Sequence, residues 1–187
     1  MSAFVAWLRG VNVGGANRLA MADLRAVFED CGASGVETHI QSGNVVFSSL
    51  AAPAPRIAAQ VEARLARDFA VTTKLALVQA EALRRIVDAN PFLSQGEDPA
   101  KLHVAFFSAP VAPDRLANLD ADRSPPDAFA AGANCLYLFL PLGVARTRLS
   151  NAWLDARLGV TTTARNWATT TKLLSMAEAL SAARKTK

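Results

Sequence analysis

The sequence contains few of the residues that build metal centres or nucleophilic catalytic sites. Its 187 residues include two cysteines, Cys31 and Cys135, and two histidines, His39 and His103. None of the four stands in a CxxC, HxxxH or HExxH pattern, so the sequence predicts no metal centre and no other cofactor. We expect both cysteines to be reduced and buried as small apolar side chains.

Long apolar segments are also absent. No stretch approaches the roughly 18 apolar residues that a membrane-spanning helix needs. The first residues, Ser2-Ala3-Phe4-Val5-Ala6-Trp7-Leu8, lack the basic leading region and the small-residue cleavage site of a signal peptide. We therefore expect a cytoplasmic protein with no membrane partner. The sequence carries no signal for the oligomeric state.

Charge is mild. Charged residues make up 19% of the chain and hydrophobic residues 51%, with a net charge of +4 and a pI of about 9.5. This composition is not that of a disordered or fibrous chain. It permits a polyanionic partner without requiring one. The length is sufficient for one large domain or two small ones.

The order of the predicted elements indicates an α+β fold. Residues 3–9 are apolar on both alternating faces, which predicts a central strand covered on two sides. Apolar residues at helical spacing come next and predict a helix that ends at Gly32. Two strands joined by a tight turn at residues 41–43 follow this helix. An apolar stripe at Ile57, Val61, Leu65 and Phe69 predicts a second helix. A strand from Val71 to Val78 then completes the order β-α-β-β-α-β, which is that of ferredoxin-like folds.

The second half repeats most of this element order without repeating the sequence. After a stretch with prolines and a glycine at residues 90–99, the patterns predict β-α-β-β-α-α, with the last helix beginning near Asn166. We therefore predict a ferredoxin-like lobe over residues 1–78 and a linker helix and loop over residues 79–100. A second, similar α+β lobe of βαββα type with a C-terminal helix should occupy residues 101–187.

The first of three polar segments follows strand one and reads Arg9-Gly10-Val11-Asn12-Val13-Gly14-Gly15-Ala16-Asn17. A glycine-rich connection after a strand can direct main-chain amides at a phosphate, and Arg9 and Asn12 add a cation and an amide. The chain lacks both the lysine and hydroxyl of the phosphate-binding loop and the GxGxxG fingerprint. A wide turn of structural glycines is an equally good interpretation.

The second polar segment is Gln41-Ser42-Gly43-Asn44. It is either a hairpin turn whose Ser and Asn side chains satisfy their own backbone, or a set of neutral hydrogen-bond donors for a ligand. Strands one and three are neighbours in a ferredoxin-like sheet. This places Asn44 within reach of strand one and of the first segment.

The third polar segment runs from Thr161 to Lys172, and its Arg165-Asn166-Trp167 stretch opens the last predicted helix. Asn166 or Thr163 can cap that helix, and the exposed amides of its first turn, with Arg165 beside them, attract anions. Trp167 either stacks on a ligand or anchors the core. Both interpretations stay open for the sequence alone.

Together the segments suggest a pocket for a small anionic or phosphorylated ligand in a cleft between the lobes. Ten residues are expected to line it: Arg9, Asn12, Gly14, Gly15, Gln41, Ser42, Asn44, Arg165, Asn166 and Trp167. The sequence assigns no catalytic residue and does not decide whether the protein is an enzyme. Two alternatives remain, a module that binds RNA or single-stranded nucleic acid, with Phe47 as the only aromatic of strand three, and a protein-interaction module without a small ligand.

Four motifs resemble one bacterial family. They are Leu8-Arg9-Gly10-Val11-Asn12-Val13-Gly14-Gly15, Met21-x-x-Leu24-Arg25, Gln41-Ser42-Gly43-Asn44-Val45-Val46-Phe47 and Arg165-Asn166-Trp167. The chain thereby resembles the family known as domain of unknown function 1697. The resemblance implies a two-lobed α+β fold with ferredoxin-like character, and it brings no established activity, cofactor or substrate. The family pattern usually continues Arg-Asn-Trp-Asn-Thr, whereas Ala168 stands here in place of that asparagine.

Overall fold

A computed structural model describes residues 1–15, 17–50 and 53–185 of the chain. The strands in this part are β1 (Ser2–Leu8), β2 (Ser34–His39), β3 (Asn44–Ser49), β4 (Leu75–Gln79), β5 (Leu102–Phe107), β6 (Ala128–Gly132), β7 (Cys135–Phe139) and β8 (Thr162–Asn166). The helices are α1 (Met21–Asp30), α2 (Ala54–Phe69), α3 (Ala80–Asp88), α4 (Pro91–Ser94), α5 (Pro113–Ala117), α6 (Asn151–Leu158) and α7 (Trp167–Lys185), with a 3-10 turn at Pro99–Lys101.

The described strands form two four-stranded sheets in which every pairing is antiparallel. The first sheet has the order β2-β3-β1-β4 and the second the order β6-β7-β5-β8. The prediction of an α+β chain with two lobes is therefore confirmed.

By its internal contacts the chain divides into two compact units. The first contains residues 1–83 and 172–187, and the second contains residues 84–171. The boundaries of these units fall inside α3 and α7. The predicted division into residues 1–78, 79–100 and 101–187 stays a prediction.

The first unit is built around β1, which pairs with β3 on one side and β4 on the other. Residues 3–8 are all buried, which confirms the prediction of a central strand apolar on both faces. Phe47 of β3 lies between Phe4 and Phe28, with ring centroids 5.7 and 5.2 Å away. These aromatic contacts join the sheet to α1 in one apolar core.

β4 is shorter than the sequence predicts, because it begins at Leu75 and not at Val71. The residues before it contact the loop that follows β1 instead of extending the ladder. The Thr73 hydroxyl donates to the Arg9 carbonyl at 2.9 Å, and the Arg9 N–H donates to the Lys74 carbonyl at 3.0 Å. The apolar and β-branched composition of this stretch predicts a strand, but these contacts hold it against the loop.

The second unit contains a strand that the sequence analysis missed. β8 pairs with β5 along the sheet edge, so the predicted order β-α-β-β-α-α is wrong and the elements follow β-α-β-β-α-β. Two groups of β8 bond to α6, since the Thr162 hydroxyl donates to Asp155 at 2.7 Å and the Ala164 N–H donates to Asn151 at 3.2 Å. Helix side chains thus cover the outer edge of a strand whose sequence is too polar for hydrophobic alternation.

Candidate functional site

Two of the three polar segments meet in the first unit, at the ends of β1 and β3. We call residues 9–17 the glycine loop and residues 40–43 the hairpin turn. The Asn12 side-chain amide donates to the Gln41 carbonyl at 2.9 Å and to the Leu19 carbonyl at 2.8 Å, and its oxygen accepts from the Leu19 N–H at 2.8 Å. One asparagine therefore joins the glycine loop, the residue before α1 and the hairpin turn.

The backbone of Asn12 is left-handed, with φ at 57°. Asparagine adopts this conformation more readily than other residues with a side chain, because its short amide can bond nearby backbone. Asn17, further along the glycine loop, has φ at 49°, and its amide approaches the carbonyls of Gly10 and Thr72 at 3.3 and 3.4 Å. Both asparagines shape the loop through their side chains.

The hairpin turn is held by its own residues and by β1. The Leu8 N–H donates to the Gly43 carbonyl at 2.8 Å, and Trp7 pairs with Asn44 in the ladder, as the sequence predicts for neighbouring strands. The Asn44 amide donates to the His39 carbonyl at 3.1 Å and to the Ser42 hydroxyl at 2.9 Å. These contacts are the ones expected of a turn that satisfies its own backbone.

An open pocket of about 490 Å³ lies where the glycine loop and the hairpin turn meet the start of α1. Its described lining consists of Asn12, Gly15, Arg18, Leu19, Ala20 and Gln41. Three of these, Asn12, Gly15 and Gln41, are residues that the sequence predicts for the site. No acidic side chain is among the described lining residues, and the side chain of Gln41 is exposed.

Arg18, Leu19 and Ala20 are lining residues that were not predicted from the sequence, and Arg18 is the charged one among them. It is exposed, and its guanidinium makes no hydrogen bond or ion pair with any residue that the structure describes. It also stands just before α1, at the positive end of the helix dipole, where a cation is unfavourable without an anion nearby. The sequence feature that could have indicated Arg18 as a site residue is its position directly before the apolar stripe of a predicted helix.

The other predicted residues of the first unit lie beside this pocket or support it. Arg9 is half-buried and binds the segment before β4 through its main chain. Gly14 is exposed, with φ at 60°. Ser42 and Asn44 hold the hairpin turn.

The Arg165-Asn166-Trp167 stretch of the third segment lies in the second unit, where β8 ends and α7 begins. Asn166 caps α7, because its side-chain oxygen accepts from the Thr169 N–H at 2.8 Å. Arg165 donates to the Thr163 hydroxyl at 2.8 Å and to the Ala164 carbonyl at 2.9 Å. Trp167 is buried at 8% exposure, which favours its interpretation as a core anchor. Local contacts therefore use the polar groups of this segment.

His103 faces Asn166 across the β5–β8 ladder and is a partly buried titratable group. Burial lowers the pKa of His103 from its usual 6.5, against a smaller opposite effect of the Lys101 carbonyl. Folding therefore favours the neutral form of the His103 imidazole over its protonated form.

We expect this preference to make stability depend on pH. Stability linked to His103 is fully present above the unfolded pKa near 6.5 and is lost as pH falls through the lower folded value. Urea unfolding of wild type and His103→Gln between pH 7.5 and 5.5 checks this. The variant should lose less stability than wild type over that interval, and an equal loss would contradict the expectation.

The two cysteines are free and differ in burial. Cys135 is fully buried, as predicted, and burial raises its pKa to about 12, so it stays a thiol at neutral pH. Cys31 is half-exposed at the end of α1, which corrects the prediction that both are buried. Burial and the neighbouring Asp30 raise the pKa of Cys31, although Arg64 opposes them.

Other classes of site find little support in the described part of the chain. No group of three or more His, Cys, Asp or Glu side chains gathers there as metal ligands. No described helix combines the length and apolar character needed to cross a membrane. Phe47, the aromatic on which a nucleic-acid platform on β3 would depend, is fully buried between two other rings.

These observations define a two-unit α+β protein whose polar motifs lie at the ends of sheet strands. The chain belongs to the family described as "Protein of unknown function (DUF1697)", which matches residues 1–137. The resemblance seen in the sequence motifs is thereby confirmed.

Comparison with known proteins also shows a similarity in fold. No curated protein matches the sequence. Among solved structures, the chain is similar to the conserved bacterial protein SP0830 from Streptococcus pneumoniae, with 22% identity and a TM-score of 0.73. The similarity covers 94% of this chain and 98% of that chain. At this identity the likeness shows the fold alone.

Proposed function

We propose that the protein binds a small anion, such as the phosphate group of a metabolite, in the pocket between the glycine loop and the hairpin turn. The observation that carries the proposal is Arg18. Arg18 lines a pocket of about 490 Å³ that has no acidic residue in its described lining, and no ion-pair partner of Arg18 is found among the described residues. A bound anion would supply the missing counter-charge.

The start of α1 supports the same ligand. Its N-cap position is Ala20, which makes no side-chain cap hydrogen bond, so no side chain at that position accepts from the N–H groups of the first turn. Ala20 lines the pocket, and amides at a helix start attract anions together with the helix dipole. Asp23, the acidic residue of the first turn, is exposed and lies outside the described lining.

The predicted residues would then have different roles. Gln41 would offer its exposed side-chain amide to the ligand, and Gly15, with φ at 80°, would let the main chain approach it closely. Asn12 would position the two loops. The strand order β2-β3-β1-β4, in which β1 separates β3 from β4, supports a ferredoxin-like topology for the scaffold of this site.

Removal of the cation tests the proposal. Inorganic phosphate, pyrophosphate and sulfate should each raise the thermal midpoint of the wild-type protein above that in chloride of equal ionic strength. Arg18→Gln should lower the affinity for the tightest-binding of these anions by about 10- to 100-fold, which is the usual contribution of a hydrogen bond to a charged group. Isothermal titration calorimetry measures the change.

Arg56→Gln is the matched control. Arg56 is an exposed arginine of α2, so this substitution removes the same charge from the first unit away from the pocket lining. It should leave anion binding unchanged. If the two variants lose affinity equally, the effect is one of net charge, and the pocket is not the site.

A further inference from the structure

Two large apolar side chains stand exposed beside the proposed anion pocket. Val13 is 62% exposed in the glycine loop, and Ile40 is 55% exposed in the hairpin turn. Each directly adjoins a lining residue, Val13 following Asn12 and Ile40 preceding Gln41. Because the Asn12 amide bonds the Gln41 carbonyl at 2.9 Å, the two apolar side chains belong to one cluster of loops.

The backbone of Ile40 is in an unusual conformation for its residue type. Its φ is 49°, in the left-handed region that β-branched side chains rarely adopt. Asn12 and Asn17 have a similar φ in the glycine loop, but their amides bond nearby carbonyls. The Ile40 side chain can make no such hydrogen bond, and it is largely exposed to water.

Folding alone therefore gives no reason for isoleucine at this position. A glycine or asparagine would suit the turn better and would not expose an apolar surface. Strained residues of this kind concentrate at binding sites, where the side chain serves a ligand. Val13 adds a second exposed apolar group that the packing of the first unit does not use.

We propose that the pocket selects monophosphate esters that carry an apolar body. The phosphate would meet Arg18 and the first amides of α1, and the body would lie against Val13 and Ile40. A pocket of about 490 Å³ has the size of a small-ligand site. This inference rests on the proposed anion binding and adds the class of the ester.

Paired probes separate the two proposals. Calorimetry of the full chain with methyl phosphate and with phenyl phosphate should give about tenfold tighter binding of the phenyl ester, because its ring buries apolar surface. Equal affinities would overturn the ester preference and leave anion binding intact. Binding of inorganic phosphate but of neither ester would also overturn the ester preference alone, whereas binding of none of the three would overturn both proposals.

Ile40→Asn tests the apolar contact without a risk to folding, because asparagine accepts the left-handed backbone. The variant should bind phenyl phosphate about as weakly as methyl phosphate, and its thermal midpoint should rise. Val13→Ser should lower the affinity for phenyl phosphate in the same direction. Leu50→Asn, which removes another exposed apolar side chain outside the pocket lining, should change neither affinity. Full retention of the phenyl preference in Ile40→Asn would overturn the inference.

Discussion

Replacing Asn12 by alanine should lower the free energy of unfolding by about 2–4 kcal/mol. The substitution removes three hydrogen bonds of 2.8–2.9 Å that join the glycine loop, Leu19 and the hairpin turn. It also places alanine at a φ of 57°, which is unfavourable for a residue with a Cβ that lacks a compensating side-chain bond. Urea unfolding monitored by circular dichroism measures the loss.

Asn12→Gly separates the two causes. Glycine tolerates the left-handed backbone but cannot form the hydrogen bonds, so it should recover about 1 kcal/mol relative to alanine. Both variants should also weaken anion binding, because the position of Gln41 relative to the glycine loop depends on the lost bonds. A loss of less than about 0.5 kcal/mol in both variants would show that Asn12 does not hold the loops together.

The second large effect is expected for Gly43→Ala, at about 2–5 kcal/mol of destabilisation. Gly43 has φ at 70°, and an added Cβ would stand 2.8 Å from Leu8 Cβ and 3.4 Å from Val11 Cβ. Both neighbours are buried core residues on or next to β1, and the Gly43 carbonyl accepts from the Leu8 N–H. The turn must therefore separate from β1 or strain the core.

Gly10→Ala provides the matched control for this variant. Gly10 has a similar φ of 66°, but an added Cβ would meet nothing within 4 Å. Gly10→Ala should therefore lower the free energy of unfolding only by the cost of placing alanine in the left-handed conformation, about 1–2 kcal/mol. Equal losses in the two alanine variants would contradict a close approach between the hairpin turn and β1.

The sequence predicted elements with clear hydrophobic periodicity, such as β1 and α2, and missed β8, which lacks it. β1 was recognised as central because both of its faces are apolar, and α2 because its stripe repeats at helical spacing. β8 was missed because its sequence is polar and its partners lie in the preceding helix α6: Thr162 donates to Asp155, and the Ala164 N–H donates to Asn151. Such partners come from another element, and a strand pattern does not reveal them.

The candidate site divides in a similar way. The motifs of the glycine loop and the hairpin turn indicated that these segments matter, and the structure brings them together through Asn12. The motifs did not distinguish residues that build the loops from residues that offer groups to a ligand. Asn44 is fully buried and its amide bonds within the turn, whereas Arg18, outside the quoted motifs, is a residue of the pocket lining.

A titration of the ¹⁵N-labelled protein with phosphate, followed by amide NMR shifts, tests the central claim most directly. The largest shifts should occur at Gly15, Arg18, Gln41 and the first-turn amides of α1, and they should vanish in Arg18→Gln. The absence of shifts at high phosphate would contradict anion binding by this pocket. So would a response centred on the start of α7, around Asn166.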